Sequence, residues 1–228
     1  MLKAIIFDCD GVIVDSEPHH LKAFQIVLES QGIALSKEAY FQKYLALDDK
    51  GLFETILKEH DRPVDNKVLK RLILMKRPLY KKLSEGTHFL YPGVVEFVKK
   101  AEEKYKLAIA SGAFRGEIKA ALDKGSIRSA FPVIVSAQDV RHGKPDPEAY
   151  LTALAKLNTI SPVATIHPGE CVVIEDALKG VAAAKAAGMK CLAVTNSYPY
   201  DQLEKIADRV IDSLADVEPS DLESLIHQ

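Results

Sequence analysis

The strongest constraint in this sequence is a pattern that recurs along it: a short apolar run that breaks off abruptly into polar residues. The first run, residues 3–7, is rich in Ile and Phe and ends in Asp8-Cys9-Asp10-Gly11. Four later runs end the same way: 107–110 before Ser111-Gly112, 133–135 before Ser136, 172–174 before Glu175-Asp176, and 191–194 before Thr195-Asn196. Continuous apolar runs of this length suit strands covered on both faces, the usual condition of a parallel sheet. Helical punctuation lies between them. Pro92-Gly93 precedes a helix-periodic stretch starting at Val94, Pro147 stands where a first helical turn would begin, and 177–187 stops at Gly188, a natural helix terminator. Strands alternating with such helices predict right-handed crossovers and a Rossmann-like α/β core. Ligands of such sheets bind beyond the carboxyl ends of the strands, where the polar residues collect here.

Residues 16–86 interrupt the alternation and contain no convincing strand. Leu21, Phe24 and Leu28 share one helical face, Gly32 follows as a stop, and further helical segments begin near Ser36, near Lys50 and at Asp65. The length of 228 residues is about one and a half average domains, and this insertion accounts for the excess. The expected organisation is a discontinuous α/β core of 1–15 and 87–228, with an α-helical cap domain of 16–86 inserted into it. Its entry near Asp15 and Pro18, and its exit over 84–91 with Gly86 and Pro92, are the expected hinges.

Composition narrows the function. Thirty Lys plus Arg against 32 Asp plus Glu leave a formal charge of −2, so nothing global attracts nucleic acid or an anionic membrane. A hydrophobic share of 47% excludes disorder as the dominant state. No run approaches the roughly 18 apolar residues of a membrane span, and acidic residues interrupt the first apolar run before a signal peptide could form. Cys9, Cys171 and Cys191 make no C-x-x-C pair or regular framework. The expectation is a cytoplasmic monomer without nucleic-acid or membrane partners.

The chemistry gathers at the strand ends. Asp8 and Asp10, two residues apart, would point to one side if strand geometry persisted. Such close like charges need compensation, which a hard divalent cation such as Mg²⁺ provides through oxygen ligands, and Glu175-Asp176 can add more. Lys144, in Gly143-Lys144-Pro145-Asp146-Pro147, is presented from a stiff loop and can neutralise a carboxylate or a phosphoryl oxygen. Ser111 and Gly112 offer a hydroxyl and backbone N–H groups to further phosphoryl oxygens. Taken singly these are also ordinary turn formers and a solvated lysine. Cys9 is expected to be a buried residue rather than a nucleophile, because neighbouring carboxylates raise a thiol's pKa.

Together they resemble the haloacid dehalogenase superfamily over nearly the whole chain. Phe7-Asp8-Cys9-Asp10-Gly11-Val12-Ile13-Val14-Asp15 is similar to its first motif, Ser111-Gly112 to its second, Gly143-Lys144-Pro145 to its third, and Glu175-Asp176 to its fourth. The insertion after the first motif resembles the helical cap of the subfamily containing beta-phosphoglucomutase and phosphoglycolate phosphatase. The resemblance implies Asp8 as nucleophile forming an aspartyl-phosphate and Asp10 as general acid, then base. It also implies Mg²⁺ held by Asp8, the Asp10 backbone carbonyl and Asp176, with Glu175 in support.

The expected activity is therefore a Mg²⁺-dependent phosphatase acting on a small phosphorylated metabolite. The alternatives are a phosphomutase of the beta-phosphoglucomutase type and a non-catalytic phosphometabolite-binding protein. The candidate substrate-binding residues are Gly112, Arg115, His20, Lys50 and Lys76, with Arg77 beside the last. The loop 45–51 lacks the Arg by which the mutase grips a second phosphate, and Lys50 is no equivalent of a bidentate guanidinium.

Overall fold

Each apolar run becomes a strand, and the strand ends line up. In the computed structural model, which describes residues 1–45, 47, 49–84, 89–160 and 165–227, eight strands form. They are β1 (Ala4–Phe7), β2 (Val14–Asp15), β3 (Phe89–Leu90), β4 (Lys106–Ala110), β5 (Val133–Val135), β6 (Cys171–Glu175), β7 (Lys190–Val194) and β8 (Arg209–Ile211). Six of them make a parallel sheet in the order β5-β4-β1-β6-β7-β8. The chain builds outward from β1 on one side, then returns to build on the other, so β1 marks the topological switch point. Phe7 pairs with Ile109 and Ile174, which sets Asp8 level with the polar ends of both neighbouring strands.

Alternation along the strands divides the core in two. Ile5, Phe7, Leu107, Ile109, Val172 and Ile174 face α5 (Val94–Glu102) and α6 (Arg115–Lys124), where Phe97, Val98, Ile118 and Leu122 cover them. Ala4, Ile6, Ala108, Val173 and Cys191 face α7 (Glu148–Ile160) and α8 (Leu178–Ala186), through Tyr150, Ala153, Leu157 and Val181. Covered faces explain why these strands read as unbroken apolar runs. All three cysteines are buried and free.

Two features were not legible. Strand β8 is three half-buried residues at the sheet edge, and the antiparallel ribbon of β2 and β3 pairs only Val14 with Leu90 and Asp15 with Phe89. Neither is long enough to show a period.

The chain divides into two compact units, Met1–Asp15 with His88–Gln228 and Ser16–Thr87. The second contains α1 (Glu17–Glu29), α2 (Lys37–Ala39) running into a π-turn over Tyr40–Tyr44, α3 (Asp49–Glu59) and α4 (Asn66–Ser84). It has its own core of Phe24, Leu28, Leu52, Phe53, Ile56, Leu69 and Leu72. The expected hinge and boundary at Gly86, and Ala46 and Asp48 of the loop 45–51, lie outside the described residues. No helix among the described residues is long and apolar enough to cross a membrane.

Candidate active site

The end of β1 delivers Asp8 into a buried cluster. Its backbone N–H donates to Ile174 O (3.0 Å), which continues the β1–β6 ladder by one residue. The chain then turns: Ile13 and Val14 N–H both donate to Cys9 O, and Gly11 takes φ +78°, a conformation side chains resist. A Cβ at Gly11 would also lie 1.8 Å from Asp176 Oδ2, so the turn closes against a carboxylate only because this residue is glycine.

Lys144 arrives from the loop after β5. Its Nζ stands 2.6 Å from Asp8 Oδ1 and 2.6 Å from Glu175 Oε1. The loop is stapled to the start of α7: Glu148 accepts from the Arg141 and His142 N–H groups, and Asp146 Oδ1 accepts from Glu148 N–H.

Glu175 is 1% exposed, and its acceptor sites are full. Oε1 accepts from Lys144 and from Tyr150 OH (2.6 Å); Oε2 accepts from the N–H groups of Asp176 (2.9 Å) and Ala177 (3.1 Å). Four donors match the roughly four lone-pair positions of a carboxylate. Glu175, expected in support of a cation, is thus engaged as the counter-ion of Lys144. Gly180 makes room for it, since a Cβ there would fall 1.8 Å from Oε1.

Asp176 completes the cluster. Its carboxylate, with those of Asp8 and Glu175, offers ligand atoms all within 4.8 Å of one another, and Ser197 Oγ donates to its Oδ2. The Asp10 carboxylate is not part of this set of three. Ser111, buried at the end of β4, accepts from Ala113 N–H through its Oγ (3.1 Å), which fixes the hydroxyl at the turn.

Charge in this cluster is unbalanced. Burial, opposed by Lys144 and reinforced by Glu175, pushes the Asp8 carboxyl up to about 7. Burial, with repulsion from Glu175 and Asp8, raises Asp176 well above the usual carboxylate range. For Glu175 burial acts upward too, but Lys144 and the hydrogen bonds outweigh it and hold the carboxylate low. Burial alone would lower Lys144; Asp8 and Glu175 reverse this and keep it an ammonium. Among the described residues one ammonium therefore serves three buried carboxylates, and the site is short of positive charge on the Asp8–Asp176 side. The donors there are all oxygen, the set a hard divalent ion such as Mg²⁺ prefers.

Comparison with known proteins places the chain in a family. The haloacid dehalogenase-like hydrolase model matches residues 5–194. The chain belongs to this family. It is 34% identical over 194 residues to the phosphorylated carbohydrates phosphatase of Thermotoga maritima, covering 83% of each chain. It is 30% identical over 223 residues to hexitol phosphatase B of Escherichia coli, covering 96% of each. Among solved structures it is similar to CbbY from Rhodobacter sphaeroides in complex with phosphate, with a TM-score of 0.73 and 27% identity over 94% of this chain and 96% of that one.

The other candidates in this haloacid dehalogenase-like hydrolase have surroundings of their own. Arg115 does not join the cluster: its guanidinium binds Asp139 at 2.7 and 2.6 Å. Asp139 also accepts from Ser136 N–H and Oγ and from Lys156, and these bonds overcome burial to keep it strongly acidic. Lys50 is exposed on α3. Lys76, by contrast, is 1% exposed inside the helical unit. Its Nζ lies 2.7 Å from His20 Nδ1 and 3.9 Å from the centre of the Phe24 ring, and it donates to Asp49 Oδ1. Burial and the Lys76 charge lower His20 to about 3, so the imidazole is neutral and accepts from the lysine.

Sequence reasoning missed Tyr150, Ser197, Gly180 and Asp49. Ser197 had a signal, since it continues the polar end of β7. Tyr150 had none, because it falls among the apolar positions of α7.

Proposed function

We propose that this chain is a Mg²⁺-dependent phosphatase of a small phosphorylated carbohydrate, working through an aspartyl-phosphate on Asp8. The observation that carries the reading is the placement of Lys144 Nζ 2.6 Å from both Asp8 and Glu175, beside the buried carboxylate of Asp176. Asp8 and Asp176, with the Asp10 carbonyl, would hold Mg²⁺, whose charge would screen the phosphoryl oxygens and keep Asp8 ionised.

The chain's own residues supply the remaining roles. An Asp8 oxygen attacks phosphorus in line, and the bond from phosphorus to the ester oxygen breaks. Asp10 gives its proton to that leaving oxygen. Water then attacks the phosphoryl group, Asp10 takes the water's proton, and the bond between phosphorus and Asp8 breaks to release inorganic phosphate. Lys144 holds Asp8 and screens the phosphoryl charge throughout, while the Ser111 hydroxyl and Gly112 N–H orient the phosphoryl oxygens.

Hydrolysis is favoured over mutase chemistry by the loop 45–51, which has no Arg to grip a second phosphate. Choice among esters is assigned to the helical unit, with His20 and Lys76 as the groups to test.

The test is a screen of sugar and polyol phosphates in which inorganic phosphate and isomerised product are measured in parallel. Phosphate release is expected, lost on adding EDTA and absent from Asp8→Asn. Isomerised product in place of phosphate refutes hydrolysis, and undiminished turnover by Asp8→Asn refutes the nucleophile.

A further inference from the structure

Building on the reading of Asp8 and Lys144 above, we propose that Tyr150 is a positioning residue for the reaction: its hydroxyl fixes the Glu175 carboxylate and thereby the place of the Lys144 ammonium beside Asp8. A lysine ends in a point charge on a flexible four-carbon stem, so its position is set by what surrounds the ammonium. Here the surroundings are two carboxylates at equal distance, 2.6 Å each. Where the ammonium rests depends on where Glu175 presents Oε1.

Backbone N–H groups hold only the other oxygen of Glu175, Oε2. Oε1 is held by Tyr150 OH at 2.6 Å, from a different element, α7. The same side chain touches the lysine directly, with Nζ 4.8 Å from the centre of the Tyr150 ring, within the range of a cation–π contact. Lys144 is therefore bounded by Asp8, by Glu175 and by the face of Tyr150. Lysine and tyrosine are also carried on one stapled piece of chain, because Glu148 binds the Arg141 and His142 N–H groups between β5 and Lys144. Tyr150 is 0% exposed in an otherwise apolar cluster, where a phenylalanine would pack without burying a hydroxyl. Among the described residues its hydroxyl has one hydrogen-bond partner, Glu175.

Tyr150→Phe tests this, since it keeps the ring and volume and leaves Glu175 Oε1 still bonded to Lys144. With p-nitrophenyl phosphate and Mg²⁺, kcat is expected to fall about tenfold while KM stays within twofold, because the hydroxyl does not touch substrate. Leu157→Val, on the same helix and the same core face, loosens packing without touching Glu175 and is expected to keep kcat within twofold. Circular dichroism checks that both variants are folded. A Tyr150→Phe kcat within twofold of the parent overturns the proposal, as does an equal loss of kcat in Leu157→Val. Full activity in Lys144→Met would instead refute the reading of the site on which the proposal rests.

Discussion

Gly180→Ala is the sharpest test of how the buried carboxylates are accommodated, because two effects of opposite sign compete in it. Within a helix, replacing Gly by Ala ordinarily stabilises by about 1 kcal/mol. At Gly180 the new Cβ would stand 1.8 Å from Glu175 Oε1 and 2.0 Å from Cδ. Restoring ordinary contact moves the carboxylate by about 1.5 Å. Its bonds to Lys144 and Tyr150 at 2.6 Å, and to the N–H groups at 2.9 and 3.1 Å, cannot all survive that shift. Breaking a buried charged pair costs about 3–5 kcal/mol, so the net loss is about 2–4 kcal/mol after the helix gain is subtracted. Urea unfolding followed by circular dichroism measures it, with phosphate release measured on the same samples. Gly116→Ala is the internal control: nothing lies within 4 Å of its Cβ position, and it is expected to hold or gain up to about 1 kcal/mol. A Gly180→Ala protein as stable and as active as the parent would refute the account of Glu175.

Lys144→Met strands Asp8 and Glu175 together, and kcat is expected to drop by about 10²-fold or more in steady-state phosphate release. Arg115→Met is expected to leave KM within twofold and to cost no more than about 1 kcal/mol in urea unfolding, because the guanidinium is partly exposed and serves Asp139. His20 gives a pH dependence. Its folded pKa of about 3 lies below the ordinary histidine value of 6.5, so between these values the unfolded chain binds more protons, and stability falls as pH falls through that window. From pH 6.5 to 5 the loss is about 2 kcal/mol, and comparing urea midpoints of the parent and His20→Gln at pH 7 and pH 5 should show a shallower slope in the variant.

Much of the site was legible because the chain announces where its strands stop. The break between Phe7 and Asp8, and between Ile174 and Glu175, marks where the carboxylates must lie, since a doubly covered strand tolerates polar residues only at its end. Lys144 was legible from the prolines that stiffen its loop. What stayed hidden depends on partners remote in sequence. Arg115 reads as free to reach the strand ends until Asp139, 24 residues on, is seen to hold it. Lys76 reads as a substrate-binding candidate, and its burial with Asp49 and His20 is visible only once the helical unit closes around it. Tyr150 reads as core, and it is core except for one oxygen.

The two-residue ribbon of β2 and β3 has a consequence for how such a chain can vary. It brings Val14 beside Leu90, so both ends of the helical insertion leave the core at one point. Closing a loop of the roughly 70 residues between them costs about 2–3 kcal/mol more than closing a four-residue turn, since the entropy grows only with the logarithm of length. The helical unit also has a core of its own to stabilise it. The sheet with Asp8, Lys144 and Asp176 is therefore nearly indifferent to what is spliced in at that point, so insertions of different length and fold can be exchanged there at little cost to it.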